Sequence, residues 1–191
     1  MADPPLIRRR PIVLVGIMGA GKSTVGRLLA TMLELPFFDS DEEAERAAGR
    51  SVAQLFAEGG EAAFRLEERR AMARLTAGPP AVIAAGGGAL IDPETRAPIL
   101  ERCIAVWLKA DAATLARRLG GCSARPLLQR GDPKRILQRL LAEREVLYAA
   151  APIHLPAADE SPDEIGARIA RPIVALPSGF EERGPGADCR A

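Results

Sequence analysis

The chain has 191 residues, 48% of them hydrophobic and 27% charged, the balance of an ordinary globular protein with room for a substantial core. With 26 basic and 25 acidic residues the formal net charge is +1, which excludes a global pull toward nucleic acid or anionic membrane, so anion recognition has to be local. His154, the one histidine, excludes a multi-histidine metal site, and no apolar run approaches a membrane span. The scattered cysteines Cys103, Cys122 and Cys189 lack metal-ligand spacing and read as reduced thiols of a cytoplasmic protein.

The opening "MADPPLIRRRP" has basic residues but no apolar segment after them, so it is not expected to be a secretory signal. Arg8, Arg9 and Arg10 form a solvated basic edge before the first strand, "PIVLV" (11–15). "KSTVGRLLATMLE" (22–34) reads as the helix after it and "LPFFD" (35–39) as a short second strand. A polar, helix-rich region follows from Ser40 to about Gly78, with a capping box at Ser51 and Gln54. "AVIAAGGG" gives the third strand, and Asp92-Pro93 an N-cap with proline in the first helical turn. "CIAVWL" (103–108) is the fourth strand, with Asp111 capping the next helix.

Residues 120–132, "GGCSARPLLQRGD", read as a surface loop, and Pro133 starts a helix to about Ala150. "IHL" is a short last strand, where His154 has a structural role, and "SPDE" (161–164) is a capping box before the final helix. Residues 1–176 are expected to form one domain and 177–191 a disordered tail. Strands alternating with helices predict an α/β fold with a parallel sheet.

"GIMGAGKS" (16–23) matches G-x-x-x-x-G-K-[ST] between a strand and a helix, the context that gives this motif meaning. Gly16, Gly19 and Gly21 let backbone amides converge on phosphate oxygens at a helix N-terminus. Lys22 neutralises β/γ-phosphate charge and Ser23 offers a hydroxyl to Mg²⁺. A nucleoside triphosphate site is expected, with Ala20 and Thr24 in its wall.

Such a site usually draws a second metal carboxylate from the end of a neighbouring apolar strand, yet the third strand arrives there with Gly86. "FFDSDEE" (37–43) supplies the carboxylate instead. Asp39 and Asp41, two apart, project to the same side if that stretch is extended; the alternative is an acid-rich helix start. "GEAAFRLEE" (60–68) places Phe64 and Arg65 on a helix, with Glu68 at the spacing of an ion pair that is usually a surface one. Arg125 in "SARPLL" and Arg144 in "LAERE" complete a scattered cationic set.

In the order "GIMGAGKSTVGRLLA", "FFDSDEEAE", "GRSVAQLFAEGGEAAFR", "AAGGGA" and "RPLL", the chain resembles the shikimate kinase family from about Ile12 to Ala170. The resemblance implies a P-loop, nucleoside-monophosphate-kinase-like fold with a five-stranded parallel sheet in the order 2-3-1-4-5. It implies ATP as co-substrate, shikimate as acceptor through its 3-hydroxyl, Mg²⁺, no nucleic acid or membrane partner, and a monomer. It assigns the shikimate site to Gly86, Gly87 and Gly88, to Arg65 and Arg144 on the carboxylate, to Asp41 on the hydroxyls, and to Phe56 and Phe64 as apolar walls. Asp39 then orients Mg²⁺, Arg118 stacks on adenine, and Arg125 is a lid arginine reaching both substrates, the lid being about 120–132.

"PAADES" (156–161) lacks the basic residue of some relatives, so adenine contacts there are expected to be mainly backbone. Two other readings stay open. One is another small-metabolite kinase of this architecture, such as a gluconate kinase; the other is a nucleotide-binding switch or silent homologue. With lysines only at 22, 109 and 134 the chain has no guanine-reading N-K-x-D, and a silent homologue is expected to have lost Lys22, Asp41 or Arg65.

Overall fold

The computed structural model describes residues 10–119, 132–157 and 160–175. Five strands, β1 (Ile12–Val15), β2 (Phe37–Asp39), β3 (Val82–Ala84), β4 (Ile104–Lys109) and β5 (Ile153–Pro156), form one sheet in the order β2-β3-β1-β4-β5, every pairing parallel. β1, β3 and most of β4 are buried throughout, as expected of strands covered on both faces.

Among the described residues seven helices flank the sheet: α1 (Lys22–Leu33), α2 (Ser40–Ala48), α3 (Val52–Thr76), α4 (Pro93–Arg102), α5 (Ala112–Leu119), α6 (Pro133–Tyr148) and α7 (Pro162–Ala175). α1 packs on α7, α5 on α6, and α3 on both α2 and α4. Register fixes where the site lies: Leu14 pairs with Ala84 and Ala84 with Asp39, so the segments leaving β1, β2 and β3 emerge side by side. β1 is central and the strand order reverses across it, which opens a ligand crevice at the carboxyl ends.

The capping boxes at Ser51/Gln54 and Ser161/Glu164 form as the sequence predicts, and so do the caps by Asp92 and Asp111. His154 is structural, its ring edge-on to Trp107 at 5.0 Å and its Nε2 3.1 Å from the Ala149 carbonyl oxygen. α3 is broken at Gly60, whose φ of 68° is unfavourable for other residues, so the helix capped by Ser51 and the one bearing Phe64 and Arg65 meet at a kink. Two expectations change. β3 stops at Ala84 rather than running into the glycines, because the chain turns there and Ala89 N–H donates to Gly86 O at 3.0 Å. Asp39 and Asp41 do not share an extended segment: Asp39 ends β2 and caps α2, and Asp41 already lies in the first turn of α2.

The lid (120–132), with Cys122 and Arg125, lies outside the described residues apart from Asp132, which caps α6. The tail (177–191), with Cys189, and the arginines 8 and 9 also lie outside them.

Candidate active site

The loop from Gly16 to Gly21 joins the central strand to α1, and Gly16, Gly19 and Gly21 all have positive φ (138°, 82° and 91°). That backbone folds the loop over the helix start. α1 opens there without a side-chain cap and without an acidic residue in its first turn. Every other described helix start has a capping side chain: Asp39, Ser51, Asp92, Asp111, Asp132 and Ser161. The uncapped amides and the dipole of α1 therefore face the loop, which suits an anion. Lys22 Nζ bridges the loop, donating to Gly16 O at 2.9 Å and Ile17 O at 3.0 Å.

Ser23 Oγ donates to Asp39 Oδ2 at 2.6 Å, and Asp39 Oδ1 accepts from Asp41 N–H at 3.1 Å. A hydroxyl and a carboxylate so placed are hard oxygen donors beside the phosphate cradle. Among the described residues no three His, Cys, Asp or Glu side chains converge on a metal position. The pair fits Mg²⁺, which takes one or two protein ligands and completes its shell with phosphate and water.

A cavity of about 480 Å³ runs from this cradle to the glycine loop. Gly19, Ala20, Gly21, Lys22, Ser23 and Thr24 line one side, and Asp39, Asp41, Gly86 and Gly87 the other. Arg118, Glu160, Pro162 and Ile165 also line it. Glu160 is itself paired from within the fold, Arg168 donating to both of its carboxylate oxygens.

The three glycines are there because something sits against each of them. A Cβ on Gly86 would collide with the Glu68 carboxylate and lie 2.7 Å from Asp41 Oδ1. On Gly87 it would press on the P-loop, 3.3 Å from Met18 N, and on Gly88 it would lie 2.6 Å from Arg65 Cζ. The loop is held from outside: Gly86 N–H donates to Ser40 Oγ at 2.8 Å, while Gly87 O accepts from Tyr148 Oη at 2.6 Å and Arg144 Nη1 at 3.1 Å.

Arg65 donates to Glu68 Oε2 at 2.6 Å and to Glu61 Oε1 at 3.0 Å. This is no surface pair, since Glu68 is only 3% exposed. Burial disfavours the Arg65 cation, but Glu68 and Glu61 outweigh it and hold its pKa above the ordinary arginine value. Glu68 Oε1 is buried with no hydrogen-bond partner among the described residues. Phe56 and Phe64 stack below at 5.3 Å, and Arg65 Cζ lies 5.3 Å from the Phe64 ring centre. A second cavity of about 300 Å³ touches Arg65, Glu68 and Gly88.

Of the residues singled out from the sequence, Gly19–Thr24, Asp39, Asp41, Gly86, Gly87 and Arg118 line the first cavity, and Arg65 and Gly88 the second. Phe56, Phe64 and Arg144 line neither cavity: Arg144 reaches Gly87 and Phe64 lies beside Arg65, while Phe56 meets Phe64 behind them. Sequence reasoning missed Ser40 and Tyr148 and underrated Glu68. The available signal for Tyr148 was its place four residues after Arg144, on the same face of α6.

The sheet order and the phosphate cradle define a P-loop phosphotransferase of the nucleoside-monophosphate-kinase-like fold. A family model described as shikimate kinase matches residues 18–174. A shikimate kinase of Caulobacter vibrioides is 52% identical over 153 residues, covering 80% of this chain and 76% of that one. Another, of Novosphingobium aromaticivorans, is 51% identical over 168 residues, covering 86% and 87%. The solved structure of shikimate kinase from Acinetobacter baumannii in complex with shikimate matches with a TM-score of 0.83 at 35% identity, over 87% of this chain and 94% of that one. The chain belongs to the shikimate kinase family and acts as a shikimate kinase, an ATP-dependent phosphotransferase.

Proposed function

We propose that the protein moves the γ-phosphate of ATP to the 3-hydroxyl of shikimate, a step toward chorismate and the aromatic amino acids. One observation carries the division of labour: a single cavity joins the phosphate cradle to the glycine loop, so donor and acceptor meet at Lys22, Asp41 and Gly87. The amides of Gly19, Ala20, Gly21, Ser23 and Thr24 and the Lys22 ammonium hold the phosphates, and Arg118 covers the adenine.

At the acceptor end, Arg65 and Arg144 grip the carboxylate of shikimate, and Phe56 and Phe64 back its ring. Gly86, Gly87 and Gly88 form the floor. Because Ser40 already takes the Gly86 amide, the amides of Gly87 and Gly88 are the ones left to face the acceptor. Asp41 accepts a hydrogen bond from the acceptor hydroxyl and aims its oxygen at the γ-phosphorus. The new O–P bond forms as the bond from the γ-phosphorus to the β-phosphate oxygen breaks, and the hydroxyl proton departs along its hydrogen bond to Asp41.

Phosphoryl transfer passes through a loose transition state, so aiming and charge neutralisation matter more than a strong base. Lys22 supplies neutralisation here, joined by Arg125 from the segment outside the described residues. Ser23 and Asp39 would hold Mg²⁺, which adds charge neutralisation on the phosphates. The protein works in the cytoplasm as a monomer, its first 176 residues as one domain with the remainder a tail. No described helix is long and apolar enough to cross a membrane.

The test is ADP release with and without shikimate, in Mg²⁺ and after its chelation, with gluconate as control acceptor. Release stimulated by shikimate alone and abolished by chelation supports the reading. Equal release with all acceptors contradicts it.

A further inference from the structure

The loop Gly86–Gly88 has the least intrinsic preference for any backbone conformation, yet it forms the floor of a site that needs fixed geometry. What fixes it comes from elsewhere in the chain. Gly87 O receives two donors, Tyr148 Oη at 2.6 Å and Arg144 Nη1 at 3.1 Å, which occupy both lone pairs of that carbonyl. In a trans peptide the C=O and the following N–H point opposite ways, so fixing Gly87 O also fixes the direction of the Gly88 amide.

Tyr148 is suited to do the fixing. It is 2% exposed, and its ring lies 5.9 Å from that of Trp107, itself 3% exposed in β4. Trp107 pairs with Val15 at the end of the central strand, directly before the phosphate loop. The hydroxyl is thus delivered from a rigid base. Burial raises the pKa of the phenol above its ordinary value, against the Arg144 and Arg65 cations, which keeps it a donor at neutral pH.

We infer that Tyr148 is a positioning residue of the acceptor site: it holds the Gly87 carbonyl and orients the Gly88 amide. The inference rests on the acceptor-site reading above.

Tyr148→Phe keeps the ring and removes only the hydroxyl. Losing one neutral hydrogen bond should raise KM for shikimate about three- to tenfold, with KM for ATP and kcat changed by less than about twofold. Melting temperature supplies a second measurement that does not depend on turnover. The rise induced by shikimate should shrink in Tyr148→Phe while the rise induced by ATP stays as in wild type, even if the variant starts from a lower melting temperature.

A merely structural role would weaken both substrates equally, and that result overturns the inference. So does an unchanged KM for shikimate. If the wild type shows no shikimate-stimulated ADP release, the acceptor reading fails and this inference falls with it. A stimulated wild type with an indifferent Tyr148→Phe overturns the role of Tyr148 alone.

Discussion

Arg65 and Glu68, three residues apart on α3, meet through a 2.6 Å hydrogen bond in which the carboxylate is almost wholly buried and the guanidinium is not. Glu68 is thereby the anchor, and on the proposed reading Arg65 is the part presented to the acceptor. Arg65→Lys keeps the charge but loses the planar two-pronged donor. A charge-assisted hydrogen bond contributes about 1.5–3 kcal/mol, so kcat/KM for shikimate should fall about tenfold or more while KM for ATP hardly moves. Steady-state kinetics against each substrate checks this; an unchanged kcat/KM in a folded variant would place the acceptor carboxylate elsewhere.

The contact between Gly88 and Arg65 gives an independent handle on the same guanidinium. A methyl at Gly88 would lie 2.6 Å from Arg65 Cζ, and the arginine cannot swing aside without leaving Glu68 and Glu61. Gly88→Ala should therefore raise KM for shikimate about tenfold, a loss of about one charge-assisted hydrogen bond, with ATP affinity retained. Shikimate and ATP titrations of the folded variant decide it.

Lys22 is the cation tied across the phosphate loop. Lys22→Met keeps much of the side-chain volume and removes the charge. Losing one preorganised electrostatic contact to the transition state should lower kcat by about 10²–10³-fold. Shikimate binding measured without nucleotide should stay within about twofold of wild type, since no transition-state contact is involved. Turnover near the wild-type value would contradict the assignment of Lys22.

Asp92 offers a test of the frame behind the glycine loop. It caps α4, accepts from Thr95 Oγ1 at 2.8 Å and pairs with Arg69 Nε at 2.8 Å. Burial alone would raise its pKa, but the hydrogen bonds from Thr95 and Glu94 and the Arg69 charge outweigh it and hold it below the ordinary 3.8. A carboxyl depressed in the folded state adds stability above its unfolded pKa and loses it as pH falls through the folded value. Asparagine still caps the helix, so Asp92→Asn should lose only the ion pair with Arg69 and be less stable than wild type near neutral pH by about 0.5 kcal/mol. The gap should close as the pH is lowered past 3.8. Denaturant titrations at both ends of that range measure it, and an undiminished gap in acid would contradict the account.

What the sequence made legible follows from how far apart the cooperating residues lie. The phosphate cradle spans eight positions and the helix caps three or four, so a local pattern carries their geometry. The bond from Gly86 to Ser40 spans 46 residues and that from Tyr148 to Gly87 spans 61, and no local pattern announces either. Asp39 and Asp41 both line the cavity, but of the two geometries the sequence left open the extended one gives way to the acid-rich helix start, because α2 begins at Ser40, directly after the strand. Glu68 has the spacing of a common surface ion pair, and only the packing of α3 against the glycine loop shows it to be buried. The resemblance of ordered motifs reached further than local physics did, because it carried in the pairing of distant segments that spacing alone does not encode.

The most direct measurement of the central claim is phosphorus NMR of the reaction of this protein with ATP, Mg²⁺ and shikimate, followed to completion. The account predicts loss of the γ-phosphate resonance and growth of one phosphomonoester signal coupled to the proton on carbon 3 of shikimate, in step with ADP. Inorganic phosphate as the only new phosphorus signal, or a monoester on another hydroxyl, would contradict it.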